Sequence, residues 1–228
     1  MTPLLVIRPE PGASATLEAA RTMGLEAEAA PLFAVTPLAW EPPDPAWFDA
    51  LLIGSANAPR HAGPTLAAFA QLPAYVVGEA TALACAEAGL RVVKTGQGGL
   101  QPLLTQLSPA HRRLLRLAGR ERVTLTLPPG VTMAERVVYA SNALPLPREL
   151  AERLATGAVV LLHSAEAARH LAAECDRLTI PRAGLALAAL GPRIAAAVGE
   201  GWRELAVAEQ ASDTALLAKA AALCQDLA

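Results

Sequence analysis

Aromatic side chains are scarce in this chain, 4% of 228 residues, and charged ones make up only 18%. The first shortage leaves packing to Leu, Val, Ile and Ala. The second, beside a hydrophobic fraction of 53%, excludes a disordered or collagen-like polymer. Neither sign of charge dominates: 19 Lys and Arg against 21 Asp and Glu give a formal net charge of −2. No basic stripe interleaved with aromatics points to nucleic acid. The three cysteines, Cys85, Cys175 and Cys224, are odd in number and lack CxxC spacing, which predicts free thiols in a reducing cytosol. A long apolar run is also missing. The segment Met1–Pro9 has no basic leader and too short an apolar stretch for a signal peptide. Gly184–Gly199 is interrupted by Pro192 and Arg193 and falls short of the about 20 residues a membrane span needs. The expectation is a soluble, cytoplasmic protein with no membrane partner. GxGxxG, a Walker loop, HExxH and any metal-ligand cluster are absent too, and Gly96-Gln97-Gly98-Gly99 lacks the Lys of a phosphate loop.

What the chain does have is alternation. Short Val/Leu/Ile runs take turns with Ala-rich stretches of helical character, the pattern of parallel strands covered by helices, and the length suits two domains of roughly 100 residues each. Strands are predicted at Leu4–Arg8, Ala50–Ile53, Ala74–Val77, Arg91–Lys94, Leu114–Ala118, Val123–Leu127, Ala158–His163, Leu185–Leu190 and Glu204–Ala208. Helices are predicted at Ser14–Met23, Ser55–Ala70, Glu79–Ala88, Leu100–Leu107, Arg148–Ala155, Ala165–Cys175, Ile194–Gly199 and Asp213–Leu223. Leu25–Leu38 and Arg136–Pro147 read as extended segments punctuated by prolines.

The chain also repeats itself. Leu51-Leu52-Ile53-Gly54-Ser55-Ala56-Asn57-Ala58-Pro59-Arg60-His61 is matched 109 residues later by Val160-Leu161-Leu162-His163-Ser164-Ala165-Glu166-Ala167-Ala168-Arg169-His170. Alanine matches carry little weight in so Ala-rich a chain; Ser55/Ser164, Arg60/Arg169 and His61/His170 at constant spacing carry more. Gly89-Leu90-Arg91-Val92-Val93 is mirrored by Gly201-Trp202-Arg203-Glu204-Leu205, and a Leu-rich helix follows each. Two copies of one strand–helix module account for this.

In each copy a strand ends in a small residue and turns into a helix, at Gly54-Ser55-Ala56-Asn57, Gly78-Glu79-Ala80-Thr81, His163-Ser164-Ala165 and Gly191-Pro192-Arg193. Loops at the C-terminal ends of parallel strands are the usual ligand sites of open α/β sheets. Free N–H groups at a helix start favour anions there. Facing sets of such corners would hold a polyanion; any single one reads first as a Ser or Asn cap, and it is the repeated set that favours a ligand. His61 and His170, mid-helix beside Arg60 and Arg169, read as solvated helix faces. His163, at a strand end, could approach a cleft. Ser55 and Ser164 lack a His/Asp pattern for nucleophilic catalysis.

Several of these segments together resemble the uroporphyrinogen-III synthase family. They are Leu5-Val6-Ile7-Arg8-Pro9, Asp49–Ala58, Val76-Val77-Gly78-Glu79-Ala80-Thr81-Ala82, Val137-Val138-Tyr139, Val160–Ala165 and Gly199–Glu204 followed by Asp213-Thr214-Ala215-Leu216-Leu217. The resemblance runs over nearly the whole chain. It implies two similar flavodoxin-like parallel-sheet α/β domains joined by a two-stranded linker. One domain would be discontinuous, residues 1–35 with 147–228, the other 40–137, and the linkers would fall at about 36–39 and 138–146.

The resemblance also implies an activity: a cofactor-free, cyclising hydro-lyase of porphyrin (heme) biosynthesis that closes hydroxymethylbilane, a linear octacarboxylate, with inversion of ring D. Tyr139 matches the family's tyrosine near the second linker and would act as the acid that assists loss of the terminal hydroxyl. Ser55, Ala56, Asn57, Gly78, Thr81, Ser164 and Ala165 match cleft positions where hydroxyls and backbone N–H groups would hold carboxylates. Arg8 stands near the cleft or in a structural ion pair. The sequence departs from the family at Gly54, often Thr, at Ala165, often Pro, and at Arg193, often Thr or Ala; Arg193 would itself be a carboxylate clamp. The alternative is a non-catalytic two-domain protein that binds a tetrapyrrole or another small molecule. No metal or other cofactor is expected, and no apolar seam is left over, so a monomer is expected.

Overall fold

Every residue of Leu4–Val6, Ala158–Leu162 and Leu185–Ala189 is buried, the pattern of strands covered on both faces rather than on one. The computed structural model describes residues 2–226. The chain runs through β1 (Leu4–Val6), α1 (Gly12–Thr22), β2 (Ala27–Ala29) and β3 (Phe33–Pro37). It continues with β4 (Ala50–Ile53), α2 (Asn57–His61), β5 (Pro73–Val77), α3 (Glu79–Glu87), β6 (Arg91–Gly96), α4 (Leu100–Leu104), β7 (Arg113–Gly119) and β8 (Thr132–Ala143). It closes with α5 (Arg148–Ala155), β9 (Ala158–Leu162), α6 (Ala165–Arg177), β10 (Leu185–Ala189), α7 (Pro192–Val198), β11 (Glu204–Val207) and α8 (Asp213–Asp226). The fold class is α/β with parallel sheets.

The chain divides into two compact units, Met1–Ala34 with Asn142–Ala228, and Val35–Ser141. The first unit holds a sheet of order β11-β10-β9-β1-β2, parallel throughout. Strand periodicity of two assigns its side chains: Leu5, Ile7, Val160 and Leu162 pack under α5, α6 and α7, while Leu4, Val6, Val159 and Leu161 pack under α1 and α8. Each such fully buried Leu is worth about 1.5–3 kcal/mol relative to exposure.

The second unit is built on the order β3-β8-β7-β4-β5-β6. Strands β4 to β8 pair in parallel; Leu51, Ile53 and Val76 face α2 and α3, and Leu52 and Tyr75 face α4. Placed side by side, β4, β5 and β6 occupy the positions of β9, β10 and β11, as the sequence repeat requires. Strands β7 and β8 occupy those of β1 and β2. The spatial order is therefore shared, but the two strands that open the first unit close the second. That permutation is why no repeat shows at the N-terminus. Strand β3 lies on β8 and runs against it: the Leu38 N–H donates to Val138 O at 2.9 Å and the Leu144 N–H to Leu32 O at 2.9 Å, so one number rises as the other falls.

Two expected elements differ. The helix expected over Ser55–Ala70 is broken: α2 ends at His61, Gly63 takes φ 73°, and a 3₁₀ turn over Pro64–Phe69 follows. Pro64 lacks the N–H an α-helix would need there, and Gly63 supplies a backbone angle other residues avoid. Val123–Leu127 is not a strand. Instead of a neighbouring strand, the amide of Gln101 on α4 serves one residue of it, donating to Thr126 O and accepting from the Thr126 N–H, each at 2.9 Å.

Candidate functional site

At the C-terminal ends of β4, β5 and β7, within the second unit, a cavity of about 290 Å³ is lined by Ser55, Val77, Arg116, Gly119, Arg122 and Tyr139 among others. A β-bulge aims Tyr139 into it. Ala118 pairs with Val137 but Gly119 pairs with Tyr139, so Val138 is an extra residue on β8. Neighbouring residues of a regular strand point to opposite faces; here Val138 and Tyr139 pack against the same core. Gly119 makes room for the ring, because a Cβ there would lie 2.6 Å from Tyr139 Cζ.

The corner beside it is formed by Ser55, whose Oγ accepts from the Asn57 N–H at 3.2 Å, closing a turn before α2. Ala56 caps that helix and Asn57 begins it. A Cβ on Gly54 would meet the Leu100 side chain at 3.0 Å, so a larger residue at this position would press on α4. Gly78 caps α3 at φ 80°, a conformation that favours glycine, and its carbonyl accepts from the Thr81 N–H. Thr81 is buried.

Two positively charged side chains reach the same cavity, and neither was singled out from sequence. Arg116, 4% exposed, donates from Nη1 to Glu135 Oε1 at 2.7 Å and to Val123 O at 2.9 Å. Arg122 donates from Nε to Glu135 Oε2 at 3.1 Å and from Nη1 to Arg120 O at 2.9 Å. The only sequence signal was an Arg inside an otherwise apolar strand.

His61 and His170 are not solvated helix faces, as their Arg neighbours suggested. The His61 ring lies 6.3 Å from the Tyr139 ring, and its pKa is pushed below the ordinary 6.5 by burial and by the charge of Arg60. Its repeat partner His170 bonds through Nε2 to Leu144 O at 2.7 Å and meets Phe33 edge-on. Both are half-buried because α2 and α6 turn these positions toward the strand pair that the proline-rich segments form.

In the first unit, Ser164 caps α6, its Oγ accepting from the Ala167 N–H at 3.1 Å, and Ala165 is the first helical residue. Arg193 is exposed on α7 with no ion pair to a described residue. Arg8 takes the ion-pair role: Nη1 lies 3.3 Å from Asp213 Oδ2 and 3.4 Å from Thr16 Oγ1. Asp213, at the start of α8, also accepts from the Thr16 hydroxyl at 2.7 Å and lies 3.4 Å from His163 Nε2. These partners, His163 foremost, hold its carboxyl down to about 2 against burial, which acts the other way. His163 is therefore part of a buried polar cluster, its Nδ1 without a partner among the described residues. The cysteines are free; burial pushes the Cys85 and Cys175 thiols up to about 11.

The family model described as uroporphyrinogen-III synthase HemD matches residues 14–218. The chain belongs to the uroporphyrinogen-III synthase family. Among solved structures, the uroporphyrinogen-III synthetase of Helicobacter pylori is similar with a TM-score of 0.69 at 18% identity, covering 98% of this chain and 100% of that one. A mutant uroporphyrinogen III synthase of the extremely thermophilic bacterium Thermus thermophilus is similar with a TM-score of 0.54 at 17% identity, covering 99% and 100%. At such identity these likenesses speak for the fold. No curated protein matches by sequence. Among the described residues, no helix is long and apolar enough to cross a membrane, and no group of three or more His, Cys, Asp or Glu could hold a metal ion.

Proposed function

We propose that the chain is a uroporphyrinogen-III synthase, converting hydroxymethylbilane to uroporphyrinogen III and water. The observation that carries this reading is membership of the family over residues 14–218. The bilane loses its terminal hydroxyl as water, leaving an electrophilic azafulvene. That carbon is attacked by the substituted carbon of ring D, giving a spiro intermediate; the intermediate reopens and recloses with ring D inverted. The unaided bilane closes without inversion, so the enzyme's work is regiochemical: holding a flexible octacarboxylate so that the less accessible carbon reacts. Positioning and electrostatics meet that need.

Tyr139 is the proposed acid. Its phenol O–H can donate to the departing hydroxyl, a contribution of typically about 10²–10⁴-fold. Its place in a cavity at the C-terminal ends of parallel strands, beside Ser55, supports that role. Carboxylate holding is assigned to the corners: Ser55, Ala56, Asn57, Gly78 and Thr81 in one unit, Ser164, Ala165 and Arg193 in the other. Arg8, paired with Asp213 but 33% exposed, is assigned a carboxylate contact in the first unit as well.

The finer fold reading is two flavodoxin-like domains, residues 1–35 with 147–228 and residues 40–137, joined by strands at about 36–39 and 138–146. It is supported by the first unit's strand order, which counted within that unit is 2-1-3-4-5, and by the division into units. A cytoplasmic monomer completes the proposal.

Purified protein supplied with freshly generated hydroxymethylbilane should yield predominantly the type III isomer, separated from type I by chromatography. A product mixture equal to the unaided reaction would leave a tetrapyrrole-binding protein without turnover as the better reading.

A further inference from the structure

Arg116 and Arg122 share a single carboxylate. Glu135 gives one oxygen to each, so the trio keeps one net positive charge, and both arginines are among the residues that line the cavity that holds Tyr139. Each guanidinium keeps a donor that no described residue accepts, buried in Arg116 and open in Arg122. These donors are Nε of Arg116 and Nη2 of Arg122. Arg122 is 32% exposed, so it can be reached from outside, whereas Arg116 is only 4% exposed. The open donor edge of Arg122 faces the same cavity, and a planar carboxylate is the partner that guanidinium geometry suits best. Glu121 lines the same cavity but forms no ion pair with a described residue, and it is exposed.

We propose that the Arg116–Glu135–Arg122 cluster is a carboxylate-binding site of this cavity, with Arg122 as the residue that touches an acidic side chain of the substrate next to Tyr139. The inference rests on the synthase reading and names residues that neither the repeat nor the strand-to-helix corners supply. Glu135 and the Arg120 carbonyl fix two of the guanidinium's three nitrogens, so the third is aimed before the ligand arrives and little side-chain entropy remains to be lost on binding. Arg116, clamped by Glu135 and Val123 O, fixes the segment between β7 and β8 and adds positive charge to the cluster.

The test compares wild type, Arg122→Gln and Arg122→Lys with in situ hydroxymethylbilane, reading kcat, KM, the type III share and the salt dependence of KM. Arg122→Gln should raise KM about tenfold with kcat little changed, and its KM should respond less to added salt, because a ground-state charge contact has gone. Arg122→Lys, which retains the charge, should recover most of that loss. Circular dichroism melts of all three proteins should coincide. A wild-type enzyme that makes type III while Arg122→Gln keeps its KM overturns the site and leaves the function standing. So does an equal KM loss in both variants. A wild type that makes no type III overturns the function itself, and the site with it.

Discussion

Gly119 lies directly beneath the phenol ring of Tyr139, so that a single added methyl group would sit 2.6 Å from Cζ and 2.9 Å from the hydroxyl oxygen. Gly119 is not in a left-handed conformation, so Ala is tolerated by the backbone, and the far end of the tyrosine is the part able to yield. Gly119→Ala should therefore displace the hydroxyl without unfolding the strand. Turnover should fall about tenfold or more, as expected for a misplaced acid, with a thermal midpoint close to wild type. Tyr139→Phe should lower turnover with the fold intact. Unchanged turnover in Tyr139→Phe removes the phenol from the mechanism.

Ser164 separates capping from ligand binding. Its Oγ already accepts from the Ala167 N–H, so Ser164→Ala should lose about 1 kcal/mol of stability in urea unfolding. If the hydroxyl also holds a substrate carboxylate, KM should rise several-fold as well. Ser164→Asp would restore the cap and repel the substrate; recovered stability with a raised KM is the expected pair of results, and a KM equal to wild type would confine Ser164 to capping.

Glu174 ties the end of the β8 segment to α6. Its carboxylate accepts from the buried Leu146 N–H at 2.6 Å and from both Nε and Nη2 of Arg177. Glu174→Ala would leave that N–H buried without an acceptor, a loss of about 1–3 kcal/mol. Glu174→Gln keeps an acceptor and should retain most of the stability. Equal losses in the two variants, measured by urea unfolding, would show that the bond to Leu146 is not what matters.

Asp213 predicts a pH dependence. The hydrogen bond from His163, helped by Thr16 and Arg8, lowers its pKa from 3.8 to about 2 in the folded protein. A lowered folded-state pKa contributes stability that is fully present above the unfolded value and is lost as pH falls through the folded one. The melting-temperature gap between wild type and Asp213→Asn should therefore be present at about pH 5 and close between about pH 4 and pH 2. A gap that widens on acidification would contradict the ion-pair role. Glu174, held down to about 2 chiefly by Arg177, adds a second contribution over the same range, so Asp213→Asn should still lose some stability there.

Much of the architecture is legible in the sequence because it rests on short-range rules. Ala50–Ile53 and Arg148–Ala155 stand where the sequence put them, since an apolar run or an amphipathic turn is decided by residues a few places apart. The 109-residue echo pointed to two copies of one module, and β4 and β9 do hold equivalent places in their sheets. The failures have equally physical causes. Val123–Leu127 looks like a strand, but a strand needs a partner, and Gln101 meets the backbone of Thr126 first. His61 and His170 looked solvated because helix position alone does not say what packs alongside.

The order of amino acids was enough for the alternation of strand and helix, the duplicated corners and, through Tyr139 and its neighbours, the family likeness, because each is written in contiguous residues. What those residues face was settled by the folded arrangement. The bulge at Val138 turns Tyr139 into the cavity, Glu135 draws Arg116 and Arg122 together, and Asp213 gathers Arg8, Thr16 and His163 from distant parts of the chain. Ion pairs and cavities form between groups that the fold makes neighbours, and no local pattern records which distant charge will arrive.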